Sequence, residues 1–576
     1  MGISAAVFES ASKRSEHLIP GTYSRSNNVS SSGGISFGNV VILGNSTGGK
    51  PNTLLKFSTL AEAKDVLVSG ELLNGVAHAF TPSNSYRPGS VFAMRVNEGT
   101  QAECILKNGG TDVLKLKSWD YGVHTNQLKI LVDDGSDEGT KKVSVVFRDS
   151  KIEYDNILKN SFSMVYTGEG TEPRITITPT SLTAVAKTIP EGEEEPQEID
   201  KVEISFNDFE TIESLVARIN DTETYVATLI DSDVNSRTKD LDSVSGVDIT
   251  NDVVFTSTLK LLMDKLLSCA YIGDVELLSE SRILPESGYV YQYFTGGTAG
   301  TSNVSDWIKT LGLLEKENIQ IIATTSTNKS VQNLIASHCV EMSATENRME
   351  RTCFIGGELG ISDDEACTIA KGYNSKYVSF VADGIDAVNP LTGVVEKLSG
   401  SYLACKLAGL EASLAVSEPL TNKDVNVLGF YVTRKKSSIE KLIANGVLCV
   451  NVTQDNRFAV IRAVTTYQSD DLMSCERSMV REDLYMNCDL RNRFAGSIGS
   501  VGDIGEDEIT SVLKGAAKEW ARANCIIPKG ADNVWDISVR VDGDKVYLTY
   551  SRYLAAPRNF VFITANNYTY STTVLL

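Results

Sequence analysis

The sequence predicts a multidomain protein of mixed α/β and β structure, and three observations predict it. From about 286 to 430, apolar strand-like runs alternate with helical patterns, as in a doubly wound α/β domain. Between 100 and 285, short alternating segments separated by turn residues replace that rhythm, which predicts a β-rich, sandwich-like insertion. From 431 to 566, two amphipathic helical stretches and a hairpin signal predict an α+β domain. The 576 residues suit about four domains, and 42% hydrophobic content is ample for their cores.

The elements follow in order. Residues 1–30 are polar, carry PGTY at 20–23, and read as an extended N-terminal arm. Residues 31–99 form the N-terminal part of the core, reading as strand, loop, helix, strand. The helix starts at a capping box running from Thr59 to Glu62, and VFAMRV is the second strand. In the insertion, VLKLKSW, QLKILV, KVSVVF, FSMVYT, RITITP, KVEISF and TYVATLI read as strands. A helix near 208–220 interrupts them, with Phe209, Ile212, Leu215, Val216 and Ile219 on one face. EGEEEPQE, 191–198, reads as a solvated loop. The α/β stretch takes strands from YVYQYF, IQIIAT, RTCFIG and KYVSFVA, and helices near 303–316, 329–345, 362–373 and 400–416. The last of these is rich in Ala and Gly and suits close packing on a sheet. Farther on, a helix near 470–494 aligns Met479, Met486, Leu490 and Phe494, and another near 506–525 aligns Ile509, Leu513, Ala516 and Trp520. Asp542-Gly543 then marks a hairpin.

Composition narrows the function. A net charge of −20 without a long basic stretch argues against nucleic acid as a partner. No window approaches the roughly 18 apolar residues of a membrane span, and the first residues lack a signal-peptide core, so folding in a cytoplasm is expected. The ten cysteines include no CxxC and sit mostly in apolar stretches, which suits buried thiols in a reducing compartment. Only four histidines, His17, His78, His124 and His338, limit imidazole chemistry.

Each chemical motif gives way on inspection. VVILGNSTGGKP, 40–51, resembles a phosphate-binding loop through Gly44, Gly49 and Lys50, but the next residue is Pro51 instead of the Ser or Thr that holds magnesium. Gly44, Ser46 and Gly48 resemble a nucleophile elbow, yet no helix follows and no histidine has an evident acidic partner. A glycine-rich turn is the better reading. DSDVNSRTKDLD, 231–242, resembles a calcium loop, but Ser236 replaces the required glycine and Asp242 the final glutamate, so a solvated acidic loop is favoured. TGGTAGTS, 295–302, holds no cation and reads as a βα connection. His338 and Cys339 are neighbours on a helix and diverge by about 100°, so Cys339 reads as core and His338 as surface or boundary. No catalytic residue, cofactor-binding residue or metal ligand is assigned.

The C-terminus stands out. RNFVFITANNYTYSTTVLL, 558–576, alternates almost to its end. Residues 558–566 read as an internal edge strand. Tyr568, Tyr570, Thr572 and Val574 read at least equally well as a strand added to the sheet of another subunit.

In order and spacing, these pieces resemble the tail sheath proteins of contractile bacteriophages, in the larger form of phages of Gram-positive hosts. The resemblance is carried by PGTY, by GNSTGGKP with the helix and strand after it, and by FTGGTAGTSNVSDWIKTLGLLEKENIQIIAT. SEPLTNKDV, ANGVLCVNV, FAVIRAVTTY and VREDLYMNCDLRNRFAG extend it, and YDNILKNSFSMVYTGEG fits the family's β insertion.

The resemblance implies a central domain similar to the subtilisin fold without catalysis, and a GNSTGGKP turn that binds no nucleotide. It implies homo-oligomeric hexameric rings stacked helically around an inner tail tube protein, with baseplate and tail terminator proteins as further partners. The sheath would be assembled in the host cytoplasm, sit in the virion tail, insert directly into no membrane, and contract from a metastable state. The N-terminal arm would include Ser15, Leu18, Ile19, Tyr23 and Arg25, and the C-terminal arm, 567–576, would include Tyr568, Tyr570, Thr572 and Val574. Tube contact would fall on Arg477, Arg481, Glu482, Arg491 and Arg493, for which an ordinary solvated helix face is the alternative. The sheath of a genome-free phage-like particle would look the same. A cytoplasmic α/β hydrolase or a surface-layer protein are the readings of other classes.

Overall fold

The computed structural model describes residues 6–10, 13–17, 37–189, 195–498 and 505–568, the first two stretches as backbone strands only. The chain divides into two compact units. One gathers Met1–Ser46, Pro51–Glu98 and Thr301–Leu576; the other gathers Thr47–Lys50 and Gly99–Gly300.

The first unit is built on an eight-stranded sheet. Its order is Phe458–Arg462, Val447–Val452, Val378–Val381, Thr352–Gly356, Ile321–Thr324, Val40–Gly44, Val91–Arg95 and Leu54–Phe57. The inner six strands run parallel, and the two outer ones are antiparallel to their neighbours. A parallel sheet is covered on both faces, so its strands are apolar without interruption. Val40–Gly44 is buried at every residue. Val40 and Ile42 join a core beneath helices Glu71–Phe80 and Gly400–Ser413. Val41 and Leu43 join the opposite core beneath Val304–Leu314, Lys329–Met342 and Asp363–Tyr373. The Ala/Gly content of Gly400–Ser413 has the predicted use: a Cβ at Gly409 would lie 2.1 Å from the Ala79 carbonyl oxygen.

Several expectations are corrected here. YVYQYF supplies only the short strand Gln292–Tyr293, which pairs with Lys129 and Ile130 in the other unit's sheet and not with the parallel strands. The helix expected after Thr59 is two helices, Leu60–Leu67 and Glu71–Phe80, separated where Val68 (φ 61°) and Gly70 (φ 112°) adopt positive φ. Thr59 caps the Glu62 amide as expected, but the Glu62 carboxylate reaches Ser58 N instead of Thr59 N. The long helix near 470–494 is broken at Glu476 into Leu472–Cys475 and Arg477–Phe494. Strands from beyond 430 also enter the main sheet, which therefore draws on the segment expected to stand apart as a C-terminal domain.

The rest of the first unit packs Met486, Leu513 and Ala516 around Trp520, whose Nε1 donates to Asp489 at 2.7 Å. Helix Glu506–Arg522 and the hairpin Trp535–Asp542/Lys545–Ser551 belong to this part.

The second unit holds two β cores. In one, the sheets containing Thr111–Tyr121 and Lys129–Asp134 enclose Leu114, Leu116, Ile130 and Val143. In the other, the sheets containing Asn160–Tyr166 and Thr171–Ile177 close over Phe162, Ile175 and Phe206 with helix Ile212–Asn220. Phe209 precedes that helix and packs against this core. The unit runs to Gly300, so TGGTAGTS begins inside it.

Candidate assembly surfaces

The glycine-rich turn already has an anion. Gly49 N donates to both oxygens of Asp120, at 2.9 and 3.2 Å, and His124 Nε2 lies 3.0 Å from the same carboxylate. Gly122, at φ 137°, passes so close that a Cβ there would lie 1.8 Å from the Thr47 carbonyl oxygen. An internal carboxylate thus sits against donors that a phosphate loop would offer to its ligand. Ser46 is buried, and its backbone exchanges hydrogen bonds with the Asn97 side chain at 3.0 and 2.8 Å.

The other motifs are similarly engaged. Asp242 accepts from the Thr258 and Leu259 amides at 2.7 and 3.0 Å, capping helix Thr258–Leu267. Asp231 pairs with Lys159 at 3.0 Å. Gly297 exchanges backbone bonds with the Asn126 side chain at 2.8 and 2.9 Å. His338 is buried, contrary to its expected boundary position, and contacts Arg351 Nη1 at 2.9 Å. All ten cysteines are free thiols; Cys475 and Cys488 are half-buried and the others buried. Among the described residues, no helix is long and apolar enough to cross a membrane.

What the chain does present is unpaired β structure. After strand Tyr553–Leu554, residues 555–568 form no strand. The expected internal edge strand over 558–566 is absent. Phe560, Val561, Phe562 and Ile563 are instead 68%, 76%, 92% and 87% exposed, and Tyr568 is 90% exposed. Tyr570, Thr572 and Val574 lie outside the described residues. FVFI is apolar on both faces of an extended chain, which is the signal that a partner must cover both. The hairpin Trp535–Asp542/Lys545–Ser551 is a two-stranded sheet with Val541, Val546 and Tyr547 exposed. Ile537, Leu548 and Tyr550 pack it on the Trp520 core, and a third strand at its edge would add stability. At the other end of the chain, Ala6–Ser10 pairs antiparallel with Lys13–His17, placing Ser15 opposite Phe8. Leu18, Ile19, Tyr23 and Arg25 lie outside the described residues.

The five charges suggested for tube contact divide into two groups. Arg477, Arg481 and Glu482 are buried, so neither a solvated face nor an outward contact describes them in this chain. Arg477 donates to both Glu411 oxygens at 2.9 and 2.7 Å, to Ser379 Oγ at 2.9 Å and to Thr352 Oγ1 at 2.9 Å. Its guanidinium also lies 3.6 Å over the Phe354 ring. Arg481 donates to the carbonyls of Leu414 and Ala415 at 3.0 and 3.2 Å. Arg491 and Arg493 keep partial exposure while pairing with Glu350, and with Asp489 and Glu519, respectively. The missed partner was Glu411, an isolated acid within an Ala/Gly-rich helix.

Burial pushes the Glu482 carboxyl up to about 8, from 4.5. A raised carboxyl favours folding below 4.5 and loses that contribution as pH rises to 8. His78 and His338 are lowered by burial to about 3 and about 4, so their contribution grows with pH and is complete by 6.5. Buried Lys406, lowered to about 8, acts only above that pH. Across the window from 6.5 to 8 both histidines and Lys406 are therefore silent while Glu482 still titrates. Urea midpoints should correspond to a loss of up to about 2 kcal/mol across it. Glu482→Gln should flatten the profile there, and an unchanged slope would contradict the assignment.

The comparisons with known proteins agree with this architecture. Residues 299–466 match the family model described as the phage tail sheath protein central domain. The chain is 24% identical over 536 residues to the tail sheath protein of Bacillus phage SP01, covering 91% of this chain and 90% of that protein. It is 26% identical over 477 residues to the putative tail sheath protein of Enterococcus phage phiEF24C, covering 80% and 81%. A solved sheath tail protein from Listeria innocua shares the fold at TM-score 0.55 and 13% identity, over 90% of this chain and 96% of that one. With that order of elements held along nearly its whole length, the chain is similar to phage tail sheath proteins, and its residues 299–466 match that family's central domain.

Proposed function

We propose that this chain is the structural subunit of a contractile tail sheath, not an enzyme, and that it assembles by donating its C-terminal segment to a neighbouring copy. The exposed, unpaired, two-faced apolar stretch Phe560–Ile563 carries this reading. Strand addition would satisfy its backbone and bury its side chains. The hairpin Trp535–Asp542/Lys545–Ser551 of another copy is the acceptor that the geometry favours, with the N-terminal arm as a second donated element.

In this reading, copies form stacked hexameric rings around an inner tail tube, held extended by a kinetic barrier until a baseplate triggers contraction. A tail terminator closes the far end. Assembly takes place in the host cytoplasm, and the product is the sheath of a virion. The parallel-sheet unit plays the part of the subtilisin-like domain, as scaffold. Arg491 and Arg493 remain candidates for the tube-facing surface because part of each stays accessible.

Negative-stain electron microscopy of the purified chain tests self-assembly. Hollow cylinders with a helical repeat are expected at high concentration. A monodisperse monomer at every concentration, with and without the tube protein, would overturn the reading.

A further inference from the structure

The C-terminal segment does not leave the fold freely. Ala555 N donates to Cys525 O at 3.1 Å, and Asn559 N donates to Pro557 O at 3.0 Å. Glu476, the N-cap residue of helix Arg477–Phe494, has a fully buried carboxylate. Arg462, at the end of the outer strand Phe458–Arg462, brings Nε and Nη2 each to 3.3 Å from Glu476 Oε2. Burial raises the Glu476 carboxyl above its ordinary value, and the Arg462 charge and the Asn559 side chain beside it oppose that shift. The Arg462 guanidinium also lies 5.8 Å from the centre of the Phe560 ring. From Val561 to Tyr568 every residue is exposed, with Phe562 stacked on Phe560 at 6.4 Å.

From this we infer that Arg462 and Glu476 are positioning residues for the donated segment, clamping its root at Asn559 and Phe560 so that only residues from Val561 onward pass to a neighbour. The inference rests on the strand-donation reading and deepens it. A buried carboxylate is costly unless paired. Here one cation from the sheet offsets the cost, and the same cation lies over the first aromatic ring of the tail. Tension on a donated strand then passes into the outer strand of the eight-stranded sheet and the start of helix Arg477–Phe494. It bypasses the exposed hairpin, which is left to receive another copy's strand.

Arg558 is exposed and stands immediately before the clamped residues, so tryptic cleavage after it reports their release. The full chain, at concentrations too low for assembly, is digested and the 559–576 fragment is followed by mass. Arg462→Gln should speed this cleavage about tenfold relative to cleavage at Lys518 and Arg522, and Arg462→Lys should restore most of the protection. An unchanged rate in Arg462→Gln would overturn the clamp. So would a parallel rise at Lys518 and Arg522, since that reports general loosening. The measurement needs no neighbour, so its failure is distinct from failure to form cylinders.

Discussion

Arg477→Ala is expected to destabilise the chain by about 3–5 kcal/mol, the largest single-residue effect the structure supports. The guanidinium ties the start of helix Arg477–Phe494 to Glu411 on helix Gly400–Ser413, and to strands Thr352–Gly356 and Val378–Val381 through Thr352 and Ser379. Removing it leaves Glu411, 2% exposed, charged and without its bidentate partner. The cost is chiefly that of the abandoned charge. Arg477→Met combined with Glu411→Leu should therefore recover more than half of the loss, because two apolar groups leave nothing unpaired. Trp520, buried beside the same helix, supplies a fluorescence signal for urea denaturation. A loss below about 1 kcal/mol in the single variant would refute this account.

Ending the chain at Phe560 should abolish cylinder formation and leave the folded subunit intact. The residues removed begin with Val561, Phe562 and Ile563, at least three-quarters exposed, so the isolated subunit loses little packing. Burial in a neighbour would stabilise by about 1.5–3 kcal/mol per large apolar side chain, before the cost of ordering the segment. The critical concentration for assembly should rise at least about 100-fold, read by sedimentation and by microscopy. Cylinders formed at the original concentration would remove the C-terminal segment from the assembly mechanism. A shifted urea midpoint would show that the segment supports its own subunit.

Some of this was legible in the residues, and the reasons differ by element. IQIIAT, RTCFIG and KYVSFVA were readable as strands because strands covered on both faces are apolar runs, and the helices between them carry their own periodicity. YVYQYF carries the same local pattern, but strand identity is local and strand partnership is not; its partner is Lys129–Ile130. The helix break at Glu476 was hidden because Met479, Met486 and Leu490 keep helical spacing whether or not an extra turn precedes them. Arg477 read as a surface charge, for tube contact or for solvent, because a lone sequence cannot show that Glu411 will face it. The tail was half legible. Its alternation announced a strand, but that residues 555–568 join no strand among the described residues depends on distant sheet edges that no local pattern shows.

The strand Val40–Gly44 lies in the middle of the large sheet, yet it is made early and its neighbour Ile321–Thr324 is made late. Hydrogen bonds join Asn39 to Gln320 across 281 positions. At about 5–20 residues per second, a ribosome takes roughly 15 to 55 s to bridge that gap. During that interval VVILG, apolar on both faces, has only Val91–Arg95 beside it. The intervening β-rich unit pairs with itself and can fold as it emerges. Synthesis thus carries a hazard of its own: a waiting apolar strand that nascent copies on one message could share, and that chaperones would have reason to cover.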